Sequence, residues 1–176
     1  YGPRSPGDGI KQLIGIAPGC LLALQLSCSG VNAPTVSQDL EFITALEDAQ
    51  RDRPSQLSST SRIAPEAEPG MELVVHGRAF AADGRTPLVD AIVFAYHADR
   101  EGTYDRRGSP AHSWRLKGWA RTGADGRFEF HTIRPGPYPG RKVAAHIHLT
   151  LFIADGAGYH AGGLLFEDDP LVSAAE

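Results

Sequence analysis

The sequence predicts an all-β protein: an antiparallel β-sandwich over residues 71–176, preceded by a signal segment and a flexible linker. Three observations carry this. Twenty glycines and 13 prolines among 176 residues punctuate the chain with turns, and β-branched and aromatic runs lie between them. From Met71 onward no segment sustains a helical period. The acid excess behind the net charge of −4 sits before Gly70, so the charge pattern marks a boundary there. That net charge excludes the basic footprint of a nucleic-acid partner. Only two cysteines occur, Cys20 and Cys28. The chain beyond them therefore cannot hold a disulfide, an iron–sulfur cluster, a cysteine-ligated zinc or a thiol nucleophile.

Residues 1–30 read as an export leader. Arg4 and Lys11 precede an apolar stretch from Leu13 to Leu26, and small residues follow. Pro18 and the glycines break the run too often for a membrane span. Leu26-Ser27-Cys28 resembles a lipoprotein cleavage box, with Gln25 where leucine is usual, and on that reading a lipidated Cys28 tethers the protein to a bacterial membrane. A plain signal peptide, or a misplaced gene start, accounts for the same residues without a lipid. Residues 31–70 read as a linker. Leu40 to Ala49 can make two or three helical turns, and Arg51 to Gly70 holds Pro54, Pro65 and Pro69 with almost no large apolar residue.

The domain then reads strand by strand. Glu72 to Phe80 is a strand closed by the turn at Asp83-Gly84, and Ala91 to Tyr96 is a second, apolar on both faces. Gly118 to Arg121 leads through Asp125-Gly126 into Arg127 to Ile133, where Phe128 and Phe130 alternate inward against Glu129 and His131. A long strand follows from Ala144 to Ile153, and a short last one covers Leu164 to Phe166. Gly156 to Ala161 matches a dinucleotide fingerprint, but no helix or βαβ unit follows it, so it reads as a loop. His76, His97, His112, His131 and His160 read as surface or edge residues, and Trp114 and Trp119 as core or pocket wall.

The sharpest chemical signal is His146-Ile147-His148. Residues two apart share a strand face, so both imidazoles project into one space, which is half of a metal site or a pair of polar residues on a solvated face. Just upstream, Pro135, Pro137 and Pro139 stiffen the loop carrying Tyr138. Such a loop either holds one phenol at a fixed point or caps the core edge. Tyr104 lies in the loop after the Ala91–Tyr96 strand. Two phenols and two imidazoles make a distinctive donor set, since phenolate is a hard anion that suits iron(III), and metal charge lowers a phenol's pKa from its usual value of about 10.

Over residues 72 to 170 the sequence resembles the intradiol ring-cleavage dioxygenases, the catechol and protocatechuate dioxygenases among them. The resemblance runs through Asp83-Gly84-Arg85-Thr86-Pro87, His97-Ala98-Asp99 with Gly102-Thr103-Tyr104, Gly118-Trp119-Ala120-Arg121-Thr122 and Asp125 to Phe130. It continues through Thr132 to Pro139, His146-Ile147-His148 and Phe166 to Pro170. It implies a non-haem Fe(III) held by Tyr104, Tyr138, His146 and His148, with Tyr138 and His148 axial. It also implies a catechol-type substrate, O₂ as co-substrate, a muconate-type product and no organic cofactor. Tyr138 is then the phenolate that leaves as substrate binds and takes up a substrate proton.

Two positions depart from the family pattern. An arginine commonly stands three residues before the first histidine of the pair. Here that residue is Val143, with Arg141 and Lys142 just upstream to take its place. A glutamine common near Gly163 is missing. Arg121 and Arg134 are further candidates for contacting an anionic substrate. The leading expectation is an exported or membrane-tethered ring-cleaving dioxygenase. The alternatives are a catalytically weak or inactive module that binds iron and catechols, and a purely structural sandwich. The oligomeric state is open.

Overall fold

In the computed structural model of the protein, the described residues are 13–16, 36–104, 114–140, 143–153 and 158–173. They form two four-stranded sheets packed face to face, with one helix on the outer side of the second sheet. The elements are β1 (Leu13–Ile16), α1 (Val36–Arg51), β2 (Thr60–Arg62), β3 (Glu72–Arg78), β4 (Ile92–His97), β5 (Leu116–Arg121), β6 (Arg127–Ile133), β7 (His146–Phe152), β8 (Gly158–Leu165) and α2 (Pro170–Ser173). The first sheet has the order β1-β3-β6-β2 and the second β5-β4-β7-β8. Every pairing is antiparallel except β2 with β6.

Alternation explains the core. On β6, Phe128, Phe130 and Thr132 point inward, while Glu129 and His131 face outward. Val75, opposite Phe130, faces the same way. On the second sheet Val93 and Ala95 of β4 meet Ile147, Leu149 and Leu151 of β7 in the same buried cluster. The other face of β4 is buried as well. Phe94 and Tyr96 pack with Trp119, and Ala49 and Leu46 of α1 lie over them. That double burial is why the β4 segment is apolar throughout. Ala45 and Ala49, one helical turn apart, are the buried stripe of α1.

Four expectations change. The linker reading of residues 51–70 gives way to structure: β2 joins the first sheet, Ile63 and Ala64 enter the core, and Glu68 pairs with Arg115. Apart from the edge strand β1, the sandwich therefore starts near Thr60 rather than Met71, because two buried apolar residues and one ion pair anchor a stretch whose composition looks solvated. The helix runs to 16 residues, longer than the expected two or three turns. β8 begins at Gly158, so the end of the glycine-rich stretch read as a loop is strand. His97 is no edge residue but is fully buried between the sheets. Its Nδ1 donates to the Ala98 carbonyl at 2.6 Å, so its Nε2 accepts from the Thr132 hydroxyl at 2.6 Å.

Leu13–Ile16, the start of the apolar run read as an export leader, pair with β3. The rest of that run, with Cys20 and Cys28, lies outside the described residues. Among those residues no helix is long and apolar enough to cross a membrane.

Candidate metal centre

Two loops and one strand deliver four donors to a single point at one end of the second sheet. His146 and His148 project from the same face of β7. The Nδ1–H of His146 donates to the Ala144 carbonyl at 2.8 Å, which leaves the Nε2 lone pair facing its neighbours. The strand entrance is fixed by the buried Asp169, which accepts the backbone N–H of Ala145 at 2.8 Å.

The loop after β4 carries Tyr104, and Asp99 shapes it. One carboxylate oxygen of Asp99 accepts the backbone N–H groups of Glu101 at 3.0 Å and Thr103 at 2.9 Å; the other accepts the Thr103 hydroxyl at 2.7 Å. Behind it, Arg115 grips Glu68 with both terminal nitrogens, at 2.5 and 2.9 Å, and reaches Asp99 at 3.6 Å. The proline-rich loop carrying Tyr138 leans on this loop, with Gly136 N–H donating to the Asp99 carbonyl at 2.9 Å.

The donor atoms close a four-membered circuit. The Tyr104 and Tyr138 hydroxyls touch each other. The Tyr138 hydroxyl lies 3.1 Å from His146 Nε2, which lies 2.9 Å from His148 Nε2, which lies 3.1 Å from the Tyr104 hydroxyl. Donors that share one ion through bonds near 2 Å stand about 3 Å from one another, so this spacing suits a common cation. Among the described residues no three His, Cys, Asp or Glu side chains gather in this way; the circuit exists only because phenols complete it.

Burial makes the circuit hungry for charge. It pushes the His148 imidazole down to about 3, with help from His146, His160 and His97, so the ring stays neutral and its lone pair is available. Burial pushes the Tyr104 phenol well above its usual range, and the contact with Tyr138 adds to this. A phenol held that way ionises only when a cation arrives beside it.

The four residues expected as metal donors are thus brought together. Arg121 and Arg134 are not. Arg121 pairs with Ile92, four residues along β4 from Tyr96, which is the residue opposite His148. That is about 13 Å at the usual strand rise. Arg121 instead lines a separate hollow of about 780 Å³ with Leu46, Asp90, Ile92 and Phe152. Alternation puts it on the correct face but at the wrong end. Arg134 is engaged by Asp168 through two bonds of 2.7 and 2.6 Å and lies over the Phe166 ring, which makes it a loop anchor. Arg141 lies outside the described residues. Val143 is exposed, and Gly163 sits opposite His148, where a Cβ would meet the His146 ring at ordinary contact distance.

Sequence reasoning assigned no role to Asp99, Asp169, Glu68 or Tyr96. An aspartate four residues before a threonine, Asp99 to Thr103, is the local signal of a side chain closing its own loop. For Glu68 and Tyr96 no local signal exists.

Comparison with known proteins agrees with the geometry. A family model described as Dioxygenase matches residues 49–175. Catechol 1,2-dioxygenase 1 of Acinetobacter lwoffii is 38% identical over 128 residues, which is 62% of this chain and 40% of that relative's length. The chain therefore spans less than half of that protein. Among solved structures, the dioxygenase domain of a dioxygenase–carbohydrate-binding fusion from Streptomyces sp. SirexAA-E superposes with a TM-score of 0.55 at 29% identity. The match covers 69% of this chain and 73% of that one. An intradiol ring-cleavage dioxygenase from Tetranychus urticae gives 0.52 at 26% identity, covering 69% and 62%. With a two-sheet sandwich, the Tyr104–Tyr138–His146–His148 circuit and a family match over most of its length, the chain belongs to the intradiol ring-cleavage dioxygenases.

Proposed function

We propose that the protein is a non-haem Fe(III) dioxygenase that opens a catechol-type ring between its two hydroxyls with O₂, giving a muconate-type product. The observation that carries this is the closed circuit of two phenol oxygens and two imidazole nitrogens. Tyr104, Tyr138, His146 and His148 are the residues that would hold the iron, hard phenolates favouring the trivalent ion. Bound there, iron(III) supplies Lewis acidity and a route for electron density from the catechol to O₂.

The chain's own residues do the rest. The neutral imidazole of His148 donates without first losing a proton. Tyr138 sits on the stiffened loop, its oxygen touching both Tyr104 and His146, so its phenolate oxygen is placed to accept a hydroxyl proton from an incoming catechol. Tyr104 leans on the Tyr96 ring at 6.0 Å and, with Trp114, packs against the aromatic cluster of the second sheet.

One observation favours a second reading, an iron- and catechol-binding module with little turnover. Val143 and Gly163 offer no charged or polar side chain at the two positions where the family resemblance implies an arginine and a glutamine. Preorganised donors of that kind contribute roughly 10²–10³-fold to a rate. The deciding experiment loads purified protein with Fe(III), records the visible spectrum, then adds catechol, protocatechuate and hydroxyquinol under air with an oxygen electrode. The enzyme gives a tyrosinate-to-iron band and consumes O₂. A binder shifts the band and consumes none. A protein that takes up no iron, or a Tyr138→Phe variant with an unchanged spectrum, overturns both.

A further inference from the structure

A metal-binding imidazole ordinarily anchors its remote N–H on a carbonyl or carboxylate, and that bond fixes the plane of the ring. His146 follows the rule through Ala144. His148 does not. Its Nδ1 is buried and meets no hydrogen-bond partner among the described residues, while its Nε2 faces the donor circuit. Something else must hold this ring against rotation.

The register of the second sheet supplies it. Tyr96 of β4 stands directly opposite His148 of β7. Their rings lie face to face, centroids 4.5 Å apart and planes within 9°. Trp114 stacks on Tyr96 in turn, at 3.7 Å and 12°, and Phe94 supports Tyr96 at 5.6 Å. Tyr96 is itself buried, so this column of rings has little room to tilt. Tyr104 leans on the same ring at 6.0 Å, which ties a second donor to the column.

We propose that Tyr96, backed by Trp114, is a positioning residue that sets the ring plane of His148 in the donor circuit by face-to-face stacking, in place of the hydrogen bond its Nδ1 lacks. The proposal rests on the ferric reading above for its consequence but not for its geometry. Stacking constrains the plane without feeding electron density into the ring, as a carboxylate or carbonyl on Nδ1 does. His148 is therefore the weaker donor of the imidazole pair, and its hold on a metal depends on orientation rather than basicity.

The test compares wild type, Tyr96→Phe, Tyr96→Leu and Trp114→Leu, each loaded with Fe(III). Three readouts are used: the rhombicity of the high-spin ferric electron paramagnetic resonance signal, the rate of iron loss to a chelator, and, on metal-free protein, the His148 ring resonances by nuclear magnetic resonance. Phe keeps the stack and behaves as wild type. Leu at position 96 changes the rhombicity, loses iron about 10–100-fold faster, the range typical for a lost metal-ligand support, and averages the His148 ring signals. Should Tyr96→Leu fail to fold, Trp114→Leu, which leaves Tyr96 in place, gives the same changes at smaller size. Unchanged rhombicity, chelation rate and ring signals in a folded Leu variant overturn the proposal, as does a Phe variant as impaired as Leu. Wild type without iron overturns the ferric reading alone, because the metal-free ring resonances still decide whether Tyr96 orients His148.

Discussion

Gly102 sits so close to Pro137 that a Cβ on the glycine would land on the proline's carbonyl oxygen. The approach is reciprocal, since a Cβ on Gly136 would land on the carbonyl oxygen of Arg100. The two phenol-bearing loops are thereby locked together backbone to backbone, and this is what lets Tyr104 and Tyr138 meet.

Gly102→Ala should therefore damage the centre from outside it. Gly102 has φ of +78°, so the substitution adds conformational strain to the clash. We expect a loss of about 2–3 kcal/mol in stability and iron uptake reduced by half or more. Urea denaturation together with metal analysis checks both, and full iron occupancy at wild-type stability would contradict the interlock.

The Glu68–Arg115 pair should matter beyond its own bonds, because Glu68 is almost fully buried and Arg115 also reaches Asp99. Glu68→Gln leaves Arg115 poorly matched and is expected to cost about 2–4 kcal/mol, the range for breaking a buried pair. Amide exchange at Gly102 and Thr103 should accelerate in the same variant. The double variant Glu68→Leu with Arg115→Met should regain part of the stability, since an apolar pair leaves no buried charge unmatched.

Acid should destabilise the metal-free protein before its carboxylates titrate. Burial lowers the pKa of His97, His148 and His160 relative to an unfolded histidine near 6.5. The unfolded chain thus binds more protons, and stability contributed by the neutral rings is complete above about 6.5 and drains away as pH falls below it. For His97 the cause is its complete burial between the sheets, where a charged ring would lose its water. Each such group contributes at most about 1.4 kcal/mol per pH unit. Urea midpoints at pH 7.5, 6.0 and 5.0 should decline, and His97→Gln should flatten the decline.

Gly163→Gln should be tolerated and should act on the site. The nearest atoms to an added Cβ are those of the His146 side chain, at 3.5 to 3.8 Å. The side chain would extend along the face that bears both imidazoles. Melting temperature is expected to stay within a few degrees, while O₂ consumption with catechol rises by about tenfold, the worth of one well-placed hydrogen-bond donor. A stable variant with no change in rate would favour the binding module.

Much of this was legible in the residues themselves. The clean alternation of Arg127 to Ile133 gives β6 to the residue, and His-x-His gives two imidazoles on one face, because a strand's period of two is a local property. The meeting of Tyr104 with Tyr138 is not local. It depends on Gly102 and Gly136 finding partners across the two loops, and no spacing rule reports that. Arg121 shows the limit of face reasoning, since alternation chooses the side of a sheet but not the position along it. His97 looked like an edge residue because a polar side chain was assumed to need water, whereas Thr132 and the Ala98 carbonyl satisfy both ring nitrogens. Ile63 and Glu68 were hidden by their solvated neighbours.

The parallel pairing of β2 with β6 joins Thr60 to Glu129, far apart in the chain. Such distant partners meet slowly, and the donors at positions 104 to 148 gather only once the strands beneath them have zipped. The apolar filling between the sheets shares no residue with those donors. On the ferric reading, the ion is therefore expected to enter a shell that is already folded, unlike the metal of a zinc finger. Stripping the ion should leave a folded shell that can be refilled without passing through denaturant.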